Sequence, residues 1–527
     1  MNLNKLTVIL FCGLNFFGHI QFANAEEKVV TILRVAEAER YDPHRVVSRA
    51  SNEMMFMMAD TLLALDFDMR TVKPLLAESW DVSDDGLLYT FTLRDDVRFC
   101  DGRKFVANDV VASFKRWMDP SSPKAAFGGD VDSITAPDDR TVLYKLKKPY
   151  SALLLQLTQT PSSIIDISSV EKLGPDFGVK GFNGTGPFCW ESWLPRNQMV
   201  LKKNSHYKWG PEFYKNRGPA LVDKLVFKQL PEEGTRLAAM ISKQADLTQF
   251  IPRWAIPKIK SVPTIKISEA SPYFSVLFMG FKTDRPLVSD VQVRQAISLA
   301  IDREALARSI FFEQVTPAYT YSASDAEGFN PALMDIAPKF DLVKAKALLD
   351  EAGWVIGPDG FRYKDGTKLA PVMVIPAAIL AEAGQAVQGA LRQIGVDVKS
   401  EVLDSALFFG RLREQSYDIY ALQQPYLTAD TLMQENFVTE AIPSPNRMNW
   451  RNKEFDRLID EAAMATSDQD RQSASFAAQM IAHNDFVWMP LAHDRAFLIV
   501  GPRLKPVRAH GNQGVAIYKG LDLELAK

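Results

Sequence analysis

Cysteine is almost absent from these 527 residues: Cys12, Cys100 and Cys189 are all there are. Histidine is nearly as scarce. None of His19, His44, His206, His483, His493 and His510 forms an H-E-x-x-H or a close pair, so the residues offer no dedicated zinc site. No Walker-type phosphate loop and no G-x-S-x-G elbow occurs, which leaves the chain without a nucleotide motif or a visible activated nucleophile. The glycine-rich segment 181–186 precedes a strand instead of opening a helix, and so reads as a loop, not a phosphate cradle. Positive charge is not in excess either. The 61 basic residues face 64 acidic ones, whereas a nucleic-acid binder normally shows a basic patch or stripe. Beyond the first residues no long apolar run appears; 164–167 and 275–281 are short and soon interrupted.

What is present starts at the N-terminus. One positive charge, Lys5, is followed by an apolar run over 6–17 and by Ala23-Asn24-Ala25, with Glu26-Glu27 next. This is the pattern of a signal peptide cleaved after Ala25, too short in its apolar part for a membrane anchor. Bulky Phe11 before Cys12 disfavours lipid attachment. The expectation is a soluble protein released into the periplasm. Without the leader and its one lysine, 60 basic and 64 acidic residues remain, a net charge of −4. The remaining chain of about 500 residues exceeds one hydrophobic core and predicts at least two domains. Cys100 and Cys189 survive cleavage. In an oxidising compartment they form one disulfide, or else stand as two separate buried thiols, and the sequence leaves both open.

Periodicity predicts a strand over 29–35, an apolar-striped helix over 48–65, and a β-meander over 75–97 with a turn at Asp84-Asp85-Gly86. Asn108 or Asp109 caps a helix running to Trp117, and a strand follows over 140–146. Strands over 188–193, 199–202 and 220–230, a helix over 232–242 and a strand over 245–250 have the rhythm of α/β units with parallel pairing. The second half repeats it. A strand over 274–281 precedes a helix over 291–311 capped by Asp290, and a helix over 341–352 stops at Gly353. A βαβ unit spans 370–402. A helix over 407–415, a strand over 417–423, helices over 455–465 and 470–484, and a closing strand over 488–492 complete the reading.

Several blocks, in their order and spacing, resemble the bacterial extracellular solute-binding proteins of family 5, which serve dipeptide, oligopeptide, nickel and opine importers. They include Leu76-Ala77-Glu78-Ser79-Trp80, Ser83-Asp84-Asp85-Gly86 and Tyr89-Thr90-Phe91-Thr92-Leu93-Arg94. Gly184-Thr185-Gly186-Pro187-Phe188, Asn204-Ser205-His206-Tyr207 and Ser289-Asp290-Val291-Gln292-Val293-Arg294-Gln295-Ala296-Ile297 continue the match. The resemblance implies an α/β fold: a two-lobed periplasmic clamp of the type II-like, peptide-binding cluster with an extra N-terminal subdomain. It would divide the mature chain into domain I (26–74, 185–272 and 489–527), the extra subdomain (75–184) and domain II (273–488). It also implies a monomer that closes on a small peptide-like or opine-like solute and docks on ABC permease subunits in the inner membrane. No cofactor, metal or nucleic acid is called for, and no catalysis.

Ligands of open α/β sheets sit beyond the carboxyl ends of strands. Two loops from different predicted domains occupy such positions. One carries Arg253 and Trp254, the other Tyr426 and Asp430, and Tyr273 lies where the chain would cross the hinge. These five are the candidate ligand contacts, with Ser51 and Asn52 as weaker ones. Peptide binders of the family commonly carry Gly-Trp-Thr-Gly-Asp in the second loop. Here Gln423-Gln424-Pro425-Tyr426-Leu427-Thr428-Ala429-Asp430 lacks that Trp and the first Asp, which places an ordinary dipeptide in doubt. A secreted hydrolase, or a haem-carrying or chaperone-like relative on the same fold, is the alternative reading.

Overall fold

The structure is a computed structural model that describes residues 27–526 except 47, 378, 379, 513 and 514. The expected leader, with Cys12 and the cleavage point, lies outside the described residues. Within them, no helix is long and apolar enough to cross a membrane.

The apolar run Ser275–Phe281 forms a strand in which every residue is buried. Its period-two alternation sends Leu277, Met279 and Phe281 into one core, and Val276 and Phe278 into another. A strand buried on both faces requires helices on both. Val291–Leu299, Leu342–Glu351 and Ala381–Arg392 cover the first face. Ser405–Arg413, Lys453–Met464 and Asp468–Asn484 cover the second. The six-stranded sheet runs Val315–Pro317, Trp488–Asp494, Ser275–Phe281, Ile419–Pro425, Val372–Pro376, Lys399–Leu403. Its last two strands are parallel and flank Ala381–Arg392, the βαβ unit that the sequence predicts.

A second sheet of seven strands runs Lys266–Ala270, Ala496–Val500, Leu247–Thr248, Val29–Arg34, Lys224–Gln229, Gln198–Lys203, Phe188–Leu194. Val29–Arg34 is parallel to both of its neighbours. Ile32 packs in the core that contains the helix Arg49–Met58, and Leu33 in the core that contains Glu233–Ile241. A separate antiparallel sheet of Ala77–Val82, Leu88–Leu93, Thr141–Leu146 and Val131–Thr135 builds the N-terminal subdomain. Its first turn is Asp84-Asp85-Gly86 as expected: Asp85 accepts the Leu87 N–H at 3.0 Å and Gly86 turns at φ +67°.

The lobes are joined by a ribbon. Lys266–Ala270 pairs antiparallel with Ala496–Val500 in the first sheet, and Ser275–Phe281 pairs antiparallel with Trp488–Asp494 in the second. Only residues 271–274 and Arg495 lie between. The subdomain also meets the second lobe directly, where the Ser151 N–H donates to the Ala463 carbonyl at 2.8 Å and Lys124 pairs with Glu435 at 3.6 Å.

Several local expectations need correction. The helix expected over 48–65 ends at Met58, and Leu63–Leu65 pairs instead with Val72–Pro74. The break follows from Asp60, a fully buried carboxylate held by the Lys519 ammonium at 2.6 Å and the Trp209 indole N–H at 2.8 Å. The helix expected over 291–311 is two, Val291–Leu299 and Arg303–Ser309. The buried Arg303 guanidinium donates to the carbonyls of Ser298, Ile301 and Pro490, while Asp302 caps the second helix through the Ala305 N–H. Asp109 acts from inside its helix, accepting the Val106 N–H at 2.9 Å, instead of capping it. The loop 181–186 packs closely on the first helix: a Cβ on Gly186 would lie 2.3 Å from the Met57 carbonyl oxygen. Finally, the strand expected to close at 492 runs to Asp494, and a further, unexpected strand follows over Ala496–Val500. The chain therefore leaves the six-stranded sheet after Asp494 and not at Trp488.

Cys100 and Cys189 form a disulfide closing a span of 89 residues. It ties the subdomain to the edge strand Phe188–Leu194. Replacing both cysteines by serine should lower unfolding stability by about 2–4 kcal/mol in urea titrations. Intact mass without the replacement should rise by two hydrogens on reduction. Lys519→Met should cost about 3–5 kcal/mol, read the same way, because it strands the Asp60 carboxylate in the core.

Candidate functional site

The loop after Leu247–Thr248 is shaped by a buried arginine. Arg236 donates to the carbonyls of Leu230 and Pro231 at 2.6 and 2.7 Å and also grips the Phe250 carbonyl. Phe250 is held at φ +55°, a left-handed conformation that is costly for a bulky residue and persists only where its surroundings impose it. Its ring lies under the Arg49 guanidinium, 4.0 Å from the centroid. Three residues on, Arg253 leaves the first lobe. Its guanidinium pairs with the Asp494 carboxylate at 2.7 Å and donates to the Gln314 carbonyl at 3.0 Å, both on the second lobe.

Asp494 stands at the end of its strand, its side chain only 5% exposed. The Gln423 amide donates to its other oxygen at 2.8 Å and to the Ser275 hydroxyl at 3.0 Å, and lies 3.5 Å from the Tyr273 hydroxyl. Burial, then the Asp494 carboxylate beside it, pushes the Tyr273 hydroxyl up to about 12. Arg495 reaches Glu269 at 3.7 Å. Arg253, Asp494, Gln423 and Tyr273 thus form one polar cluster at the crossing between the lobes.

The other candidates are placed elsewhere. Tyr426 is buried, stacked on Phe274 with ring centroids 5.6 Å apart, and its hydroxyl accepts the Ala323 N–H at 2.7 Å. Asp430 lines a cavity of about 670 Å³ between the subdomain and the second lobe, opposite Ser83, Tyr89 and Tyr150. Its carboxylate is held by Arg471 and Ser475, and Arg471 also pairs with Glu327 at 2.7 Å. These groups all belong to the second lobe, so lobe motion leaves their pairing intact. Trp254 is 49% exposed, with the Lys258 ammonium 5.3 Å from its ring. Ser51 is fully buried in the first helix, and the buried Asn52 meets the Thr160 hydroxyl at 2.7 Å.

Of the five predicted contacts, the structure therefore brings together Arg253 and Tyr273. It joins to them Asp494 and Gln423, and adds Arg49 and Phe250 on the first lobe. Sequence reasoning missed Asp494 because the strand was closed two residues early. A carboxylate followed by Arg495 at the carboxyl end of an apolar strand was the available signal.

Two α/β lobes joined by a short ribbon, with convergent polar groups at the joint, define a two-lobed binding clamp. Residues 71–441 match the sequence model of the bacterial extracellular solute-binding proteins, family 5 (its middle region), and the chain belongs to that family. It is 28% identical to heme-binding protein A of Haemophilus influenzae over 459 residues, covering 82% of this chain and 81% of that one. It is 26% identical to di/tripeptide-binding protein 2 of Pseudomonas aeruginosa over 521 residues, 92% and 94% of the two chains. Among solved structures it superposes on the ABC transporter-associated periplasmic binding protein DppA from Helicobacter pylori, in complex with the peptide STSA. There the TM-score is 0.81 at 25% identity, over 95% of this chain and 98% of that one.

Tyr426→Phe deletes the acceptor of the part-buried Ala323 N–H. It should lower stability by about 1–3 kcal/mol in denaturant titrations.

Proposed function

We propose that this protein is the periplasmic solute-binding component of an ABC importer. It captures a small peptide-like or opine-like solute between its lobes and delivers it to a membrane permease. The observation that carries the reading is the Arg253–Asp494 pair, which joins the two lobes at their crossing and is made or broken as they move. Charges paired across a hinge exchange partners when it opens, whereas the Asp430–Arg471 pairing inside one lobe does not. Arg253 and Tyr273 are accordingly the solute contacts we favour, with Asp494 and Gln423 beside them. Tyr426 and Asp430 fix the backbone of the loop that follows Gln423.

Binding would favour the closed arrangement through the solute's contacts with both lobes, the hinge motion known for such clamps. The named relatives bind haem and di- or tripeptides, and neither cargo transfers to this chain by its name alone. Release into the periplasm follows from the leader, cleaved after Ala25. A monomer suffices, since both lobes of the cleft come from one chain.

Thermal-shift measurements against dipeptides, tripeptides, glutathione, opines, sugars and haem test this directly. A true solute at 100 times its Kd should stabilise the folded state by about 2.7 kcal/mol and raise Tm accordingly. Turnover of the stabilising compound by the purified protein would replace the carrier by a hydrolase.

A further inference from the structure

The charges at the crossing specify more than the presence of a solute. Arg253 is 20% exposed and Asp494 5%, and each neutralises the other across the lobes. A solute that inserts between them must satisfy both, because an unpaired buried charge is strongly disfavoured. A simple anion on Arg253 would leave the Asp494 carboxylate with no cation, only the Gln423 amide and the Arg495 backbone N–H. A simple cation on Asp494 would abandon the Arg253 guanidinium to one carbonyl. Only a solute carrying both signs replaces the pair without loss.

Arg49 adds a third charge. Among the described residues it forms no ion pair, only the contact with the Phe250 ring, and its charge bears on the Tyr273 hydroxyl. The neighbouring cation Arg495 already has Glu269. Arg253 has Asp494 and Arg495 has Glu269, so Arg49 is the one of these three arginines without an ion-pair partner among the described residues. The platform under it is deliberate in its geometry: Arg236, itself fully buried, locks the left-handed Phe250 that carries Arg49.

We infer that the cleft is specific for a solute with one ammonium and two carboxylates, an acidic dipeptide or an N-carboxyalkyl amino acid. The ammonium lies on Asp494 and Gln423, one carboxylate on Arg253, and the second on Arg49. This deepens the clamp reading and rests on it.

Isothermal titration with four probes tests the inference: alanyl-glutamate, N-(1-carboxyethyl)alanine, alanyl-alanine and glutarate. Either of the first two should bind at least tenfold more tightly than alanyl-alanine, and glutarate should bind weakest. Which of the two leads separates a peptide source from a secondary-amine one. Asp494→Asn should weaken the leading probe by 30-fold or more, as expected when one member of a buried charge contact is removed. Arg49→Gln changes an exposed residue and leaves the core intact. It should bring the affinity ratio of alanyl-glutamate to alanyl-alanine down from tenfold or more to near one. Glutarate equal to alanyl-glutamate, or an unaltered preference in Arg49→Gln, overturns the inference, as does failure of both doubly acidic probes at millimolar concentration. Tight binding of a neutral sugar or haem that survives both substitutions also overturns it, and in that case the clamp reading stands.

Discussion

The lobes communicate through a two-stranded ribbon, Lys266–Ala270 with Ala496–Val500 on one side and Ser275–Phe281 with Trp488–Asp494 on the other. Antiparallel pairing fixes the register of each half, so the freedom between them is confined to residues 271–274 and Arg495. Everything polar that faces the joint is placed by this constraint. Tyr273 and Ser275 come from one crossing strand and Asp494 and Arg495 from the other. Gln423 is brought alongside by the pairing of Ile419–Pro425 with Ser275–Phe281. Had the ribbon been a loose linker, these groups would not have held hydrogen-bonding distances across it.

The first lobe answers with a loop whose shape is enforced and not inherent. Arg236 spends its donors on backbone carbonyls, and the result is a left-handed Phe250 beneath Arg49 and an Arg253 reaching outward. The energy of that conformation is supported by a buried guanidinium distant in sequence from the residues it serves. The cavity along Asp430 differs in kind. Its charges are settled within one lobe, so it reads as wall, while the Arg253–Asp494 contact reads as a joint that opens.

Strands buried on both faces were legible from composition, since a run such as Ser275–Phe281 has no other stable home. The βαβ unit and the meander turn at Gly86 were legible for the same local reasons. What failed were segments governed by a distant partner. The run 48–65 is apolar enough for one helix, but Lys519, more than 450 residues away, claims Asp60 and forces a hairpin. The stretch 291–311 has helical periodicity throughout, but the buried Arg303 needs carbonyls that only a break can present. Arg253 and Tyr273 come together at the crossing because each follows a strand or a predicted crossing. Tyr426 and Asp430 share a loop with Gln423, yet the backbone turns so that the first enters the core and the second a separate cavity. Asp494 escaped because polar His493-Asp494-Arg495 looks like a loop, whereas the strand runs on through Asp494 and only Arg495 separates it from the next.

The bridge from Cys100 to Cys189 has a mechanical meaning for such a clamp. Three bodies, namely two lobes and a subdomain, would ordinarily move with many independent modes. The covalent link, with the close approach of Gly186 to Met57, welds the subdomain to the first lobe and leaves a single rotor against a single stator. If the lobes close as proposed, the movement would be nearly one-coordinate, and the contacts of Ser151 and Lys124 with the second lobe would set its limit.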